Sequence, residues 1–215
     1  MDVRNSSIVS LGLLLVSLCT ALMPISMHAA DRPTIVCYGD SITAGYGLEP
    51  GQSFPDFLQR NLDKLGYHYK VNNRGTSGAT TKDAVAGIHA ILQVKPEIVV
   101  VEFGGNDGLR GLPIEETQHN LGLVLTTLEA AHIKVVFAGI TLPPNYGQDY
   151  IRQFEQVFRL LAAKHRVVFV PMLYKDIVRV PGTIQEDGIH PTAKGAQIIA
   201  NTLMPYLRQL LRRGP

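Results

Sequence analysis

The chain is predicted to fold as an α/β protein: a flavodoxin-like three-layer sandwich, with a five-stranded parallel sheet and helices on both faces. Three observations predict this. Apolar runs of strand length at residues 34–38, 98–103, 135–140 and 167–170 lack the alternation of half-exposed strands, as expected for a sheet covered on both sides; residues 67–71 form a weaker fifth. Amphipathic stretches at helical spacing separate these runs. Strand then helix, five times over, is the pattern of a doubly wound sandwich. Right-handed crossovers and the order 2-1-3-4-5 place a ligand crevice between strands one and three.

The helices follow in order. Ser53-Phe54-Pro55-Asp56 reads as a capping box, followed by Phe57, Leu58, Leu62 and Leu65. Thr80-Thr81-Lys82-Asp83 is a second, followed by Val85, Ile88, Ile91 and Leu92. A third stripe runs through Ile114, Leu121, Val124, Leu125 and Leu128, and a fourth through Ile151, Phe154, Val157, Phe158 and Leu161. The last comprises Ala196, Ile199, Leu203, Leu207 and Leu210, with Pro205 expected to kink the helix or start a new one.

Residues 1–30 differ from the rest. A short polar start with Arg4 leads into an apolar run at residues 8–23, then Pro24, then Ala29-Ala30. That is the layout of a secretory signal peptide, and the run is short for a membrane span, which needs about 20 residues. The expectation is therefore a signal peptide at 1–30, a single domain at 31–215, and a periplasmic or secreted product with no stable membrane span after cleavage. Cleavage leaves Cys37 as the only cysteine, so no intramolecular disulfide is expected and Cys37 reads as a small buried strand residue.

A formal net charge of +2 gives no electrostatic footprint for nucleic acid. There is no H-E-x-x-H and no Cys/His cluster, so no metal is expected. Gly45-Tyr46-Gly47 is followed by Pro50 where a dinucleotide fingerprint needs glycine, and no Walker lysine follows a glycine-rich loop, so no cofactor is expected. A monomer is expected.

The chemistry-bearing residues fall at the ends of the predicted strands. The first strand ends at Gly39-Asp40-Ser41, the second leads to Gly75-Thr76-Ser77-Gly78, and the third ends at Gly104-Gly105-Asn106-Asp107. Asp187-Gly188-Ile189-His190-Pro191 precedes the last helix. A serine hydroxyl needs an adjacent base, and a histidine base needs a carboxylate to fix its tautomer. Ser41 is read as an acyl-accepting nucleophile. Asp187 and His190, three apart in a turn, can face the same way as orienter and base. A backbone N–H at Gly78 and the Asn106 amide can serve a tetrahedral oxyanion. Gly75-Thr76-Ser77-Gly78-Ala79 nearly matches the G-x-S-x-G elbow, but Ala79 replaces its last glycine, and Ser41 is preferred over Ser77.

Gly-Asp-Ser-Ile at 39–42, Gly78, Gly-Gly-Asn-Asp at 104–107 and Asp-Gly-Ile-His-Pro at 187–191 resemble the four blocks of the SGNH (GDSL-type) hydrolase family, in the family's order. Gly-Gly-Asn-Asp-Gly-Leu-Arg-Gly at 104–111 and Leu-Pro-Pro-Asn-Tyr-Gly at 142–147 resemble one branch of it, the bacterial multifunctional periplasmic thioesterases, lysophospholipases and arylesterases. Ile42 departs from the leucine of the family name. The resemblance implies a Ser41–His190–Asp187 triad and an oxyanion hole of Ser41 N–H, Gly78 N–H and the Asn106 side chain. It implies hydrolysis of aryl esters, lysophospholipids and acyl thioesters through an acyl-enzyme. The partner is then a small acyl ester or lipid substrate, lying over apolar loop residues such as Leu109, Leu112, Pro113, Leu142, Pro143 and Ile189, with Tyr146 lining the cleft. The rival readings are a carbohydrate O-acetylesterase on the same triad and a flavodoxin-like module binding phosphate or flavin.

Overall fold

The computed structural model describes residues 32–212. The expected signal peptide lies outside the described residues, and no described helix is long and apolar enough to cross a membrane. Five parallel strands, β1 (Thr34–Gly39), β2 (Lys70–Gly75), β3 (Ile98–Glu102), β4 (Lys134–Ala138) and β5 (Val167–Val170), form one sheet in the order β2-β1-β3-β4-β5, as predicted. Around it run α1 (Ser41–Ala44), α2 (Phe54–Lys64), α3 (Thr81–Gln93), α4 (Gly105–Leu109), α5 (Ile114–Ala130), α6 (Gln148–Lys164) and α7 (Ala193–Leu207). Helix α2 packs on α7, while α3 packs on α5 and α5 on α6, which gives the two outer layers.

The apolar runs became strands because both of their faces are covered. Ile35, Val36 and Cys37 of β1, all of β3 and most of β4 are buried, and Phe137, Phe154 and Phe158 stack between the sheet and α6. Both capping boxes form. Ser53 and Asp56 exchange hydrogen bonds at the start of α2, and Thr80 and Asp83 do so at α3. Each cap satisfies N–H groups the helix leaves unpaired and contributes about 1 kcal/mol.

Two expectations are corrected. The second strand begins at Lys70 rather than at residue 67: Tyr67 and Tyr69 belong to the turn after α2, and Tyr69 is buried there as a core residue. Strand β2 is an edge strand, with Lys70, Asn73 and Arg74 exposed, so an apolar pattern does not mark it. Helix α7 neither restarts nor ends at Pro205. It carries the proline in its last turn and stops at Leu207, so Leu210 lies beyond it.

Beyond the strand ends the chain crowds inward. Gly75, Gly39 and Glu102 lie side by side across β2, β1 and β3. A Cβ at Gly39 would collide with the Thr43 hydroxyl and the Glu102 carboxyl, and one at Gly75 with the backbone of α1. The two glycines let α1 fold back directly over the end of the sheet.

Candidate active site

Ser41 is the first residue of α1, a single turn started by the Asp40 side chain, whose Oδ1 accepts from Ile42 N at 3.0 Å. Gly45, at φ +83° in the left-handed region, ends the turn and donates to Ser41 O, which also accepts from Tyr46 N. The serine backbone is thus tied at both ends, and its side chain faces a cleft.

His190 reaches Ser41 from 149 residues further along the chain. Its position follows from a compact turn. Asp187 Oδ1 accepts from the backbone N–H of Ile189 (2.9 Å) and of His190 (3.0 Å), with Gly188 at φ +71°. That leaves Asp187 Oδ2 facing His190 Nδ1 at 2.6 Å. A carboxylate only accepts, so Nδ1 carries the proton and Nε2 accepts the Ser41 hydroxyl, 2.8 Å away. Burial works to raise the Asp187 carboxyl, but the hydrogen bonds from the His190 ring, Ile189 N–H and His190 N–H outweigh it and hold the group below its ordinary value.

Three residues without a sequence motif brace the turn. The Tyr174 hydroxyl donates to Ile189 O (3.1 Å). Gln185 N donates to His190 O (2.8 Å), while Gln185 Nε2 joins Tyr46 O and Pro191 O. The Tyr46 ring lies on the imidazole with centroids 4.6 Å apart.

Of the expected oxyanion donors, Asn106 lines the cleft with Ser41 and Gly78 does not. Asn106, on α4, donates from Nδ2 to Ala79 O at 2.9 Å and to Asp40 Oδ2 at 3.2 Å. Gly78 lies in a turn at φ +80°, with its carbonyl held by Arg110 Nη2 (2.9 Å). Asp107 faces inward and takes the Thr81 N–H and hydroxyl, which anchors α4 to the start of α3. Ser77 is exposed, and no histidine contacts it among the described residues.

A cleft of about 560 Å³ opens at Ser41 and His190. Of the residues expected to meet substrate, Leu109, Leu142, Pro143 and Ile189 line it, together with Ile140, Tyr174 and Val178. Leu112, Pro113 and Tyr146 do not. Gly111, at φ +63°, turns the chain away after α4, and this takes Leu112 and Pro113 off the cleft wall. Tyr146 acts from outside: its hydroxyl donates to Leu109 O at 2.9 Å and its ring stacks on Tyr150, which pins the end of α4. The Thr141 hydroxyl is turned away to Glu155, so the cleft wall stays largely apolar.

Behind Ser41 lie two buried acids. Burial pushes Asp40 up to about 6, against the hydrogen bond from Ile42 N–H. Burial, then the Asp40 charge, pushes Glu102 well above the carboxylate range. Sequence reasoning missed Glu102 by reading it into an apolar run. A lone ionisable residue within such a run, one residue before Gly104-Gly105, was the available signal. No group of side chains suited to a metal ion occurs among the described residues.

The family described as GDSL-like lipase/acylhydrolase matches residues 37–198. The esterase TesA of Pseudomonas aeruginosa is 39% identical over 199 residues, covering 92% of this chain and 98% of its own. The thioesterase 1/protease 1/lysophospholipase L1 of Escherichia coli is 33% identical over 191 residues, covering 88% and 90%. Among solved structures, the crystal structure of TesA superposes with a TM-score of 0.80 at 39% identity, over 83% of this chain and 99% of that one.

Proposed function

The chain belongs to the GDSL-like lipase/acylhydrolase family, and from that premise we propose that it is an exported serine hydrolase of acyl esters and thioesters, working through a Ser41 acyl-enzyme. The observation that carries this reading is the unbroken row from Asp187 Oδ2 to His190 Nδ1 (2.6 Å) and from His190 Nε2 to Ser41 Oγ (2.8 Å). In the first half-reaction Ser41 Oγ attacks the acyl carbonyl carbon as His190 Nε2 takes the hydroxyl proton. The oxyanion is met by Ser41 N–H, Gly78 N–H and an Asn106 N–H, while Asp40 Oδ2 keeps the amide oriented. Collapse expels the alcohol or thiol, which receives the proton from His190. Water, deprotonated by His190, then releases the acid and restores Ser41. Asp187 stays ionised and holds the imidazolium.

A fluorophosphonate reports an activated serine without reference to substrate. The expected result is one labelled peptide carrying Ser41, with labelling abolished in His190→Ala. A label on Ser77, or none on the folded protein, overturns the assignment.

The apolar cleft wall supports a substrate with an acyl chain longer than acetyl. Each buried methylene contributes about 0.8 kcal/mol, so lengthening the acyl group by four carbons is expected to raise kcat/KM by up to roughly two-hundredfold. Aryl esters of graded chain length measure this, and a profile that is flat from acetate upward refutes it. Export rests on the residue 1–30 pattern, with 31–215 as the mature, monomeric domain. An N-terminal residue at or near Asp31 in the exported protein is its test.

A further inference from the structure

Glu102 ends β3 and is fully buried. Its Oε2 accepts the Thr43 hydroxyl at 2.7 Å and lies 3.4 Å from Asp40 N. Its Oε1 is, among the described residues, the one buried side-chain polar atom with no hydrogen-bond partner. A buried carboxylate oxygen with no donor is costly, whereas the same carboxyl holding a proton becomes a donor that needs only an acceptor.

That acceptor is adjacent. Asp40 N lies 3.4 Å from Glu102 Oε2 and the Asp40 charge acts directly on the Glu102 carboxyl, so the two buried acids favour a proton on one of them. Asp40 is already an acceptor on both oxygens, from Ile42 N at 3.0 Å and from Asn106 Nδ2 at 3.2 Å. The proton therefore belongs to Glu102. The carboxyl also has its own space: a side chain at Gly39 would collide with it.

We propose that Glu102 is a positioning residue for the hydrolysis set out above, on which this role rests: a neutral carboxylic acid whose O–H, donated to the Asp40 carboxylate, holds Asp40 where it starts the Ser41 turn and orients the Asn106 amide. Asp40 links the two halves of the machinery, since one oxygen sets the helical turn behind the nucleophile and the other holds the oxyanion donor. Were Glu102 ionised, two carboxylates would face each other in a dry interior and Asp40 would be driven from both partners. The other groups facing the pair fit a single negative charge. Thr43 gives its hydroxyl to Glu102, the half-buried Tyr174 phenol is held neutral with both acids raising its affinity for its proton, and His190 lies toward the cleft side of Asp40. Asp107 adds the nearest further negative charge, and its oxygens are bound to Thr81. The raised affinity of both acids for protons agrees with this arrangement.

The test is a comparison of Glu102→Gln with Glu102→Met in the full folded chain. Glutamine stays neutral, keeps the volume, donates to Asp40 and accepts from Thr43; methionine keeps only the volume. Glu102→Gln is expected to retain kcat within about threefold of the unaltered protein. Glu102→Met is expected to lose roughly 10- to 100-fold in kcat with KM little changed, because a displaced donor and nucleophile turn penalise the transition state. Infrared spectra of the unaltered protein at neutral pH should show a neutral carboxylic acid band that Glu102→Gln lacks. An absent band, a Glu102→Gln loss as deep as that of Glu102→Met, or a Glu102→Met kcat equal to the original, overturns the proposal. If Glu102→Met does not fold, the band and the Glu102→Gln kinetics decide alone. Failure of the hydrolase reading would be seen separately, as an unaltered protein that neither turns over esters nor takes a fluorophosphonate.

Discussion

Ser41→Ala is expected to lower kcat on acyl esters by on the order of a millionfold, His190→Ala by a similar factor, and the double substitution by no more than either alone. Alanine at 41 removes the atom that the proposed reaction acylates. Alanine at 190 leaves the hydroxyl in place with no acceptor for its proton, since Nε2 at 2.8 Å is the base within reach of Oγ. Each substitution disables the same step, so the effects cannot add. KM should change little, because the cleft wall of Leu109, Leu142, Pro143 and Ile189 is untouched. Residual turnover over water would measure what the oxyanion donors and binding supply by themselves. Multiplicative losses, or a Ser41→Ala protein within a hundredfold of the original, would remove Ser41 and His190 from these roles.

The second large effect concerns Asp187. Asp187→Asn is expected to reduce kcat by roughly a thousand- to ten-thousandfold, about as much as Asp187→Ala, while leaving the thermal midpoint near that of the original. The reason is the division of labour between the two carboxylate oxygens. Oδ1 accepts two backbone N–H groups and shapes the turn, and Oδ2 faces the protonated Nδ1 of His190. Asparagine has one acceptor oxygen. With that oxygen kept on the turn, its NH₂ group faces Nδ1, which must then be unprotonated. The imidazole proton moves to Nε2, and the nitrogen facing Ser41 becomes a donor that cannot take a proton. The expected loss is smaller than at Ser41 for two reasons: in the proposed reaction Asp187 orients rather than reacts, and its side chain is 38% exposed, so water can replace part of its support. An Asp187→Asn protein retaining kcat within about tenfold would show that tautomer control lies elsewhere.

The parts legible in the sequence were those dictated by burial or by a shared motif. β1, β3 and β4 each bury a continuous apolar run, so an apolar run marks them, and β5 is apolar too although only Val170 in it is fully buried. β2 does not, because an edge strand with exposed Lys70, Asn73 and Arg74 is free to be polar, and the apolar signal there comes from Tyr67 and Tyr69, which precede the strand. The residues of the row Ser41, His190 and Asp187 were legible because a nucleophile, a base and an orienter demand particular side chains, here just past β1 and in the turn before α7. The brace around them was not. Tyr174, Gln185 and Tyr46 act through a hydroxyl on a carbonyl, an amide on two carbonyls and a ring face, roles open to many residue types. Leu112 and Tyr146 were placed in the cleft by proximity in sequence alone, which Gly111 and the Tyr146–Leu109 hydrogen bond undo.

The acid pair behind Ser41 also ties folding to proton concentration. In an unfolded chain Asp and Glu side chains release their protons near 3.9 and 4.3. In the folded chain Asp40 keeps its proton up to about 6, and burial and the Asp40 charge hold the Glu102 proton well above its ordinary range. Between those limits the native state binds more protons than the denatured one. The pair's contribution to stability is therefore complete below about pH 4 and declines as pH rises through the folded values, by at most about 1.4 kcal/mol per pH unit for each proton held. Asp187 has the opposite sign: held below its ordinary value, it stabilises above that range and its contribution is lost on acidification. Acid thus loosens the outer, solvent-facing end of the reaction row, and alkali loosens the inner support beneath the nucleophile.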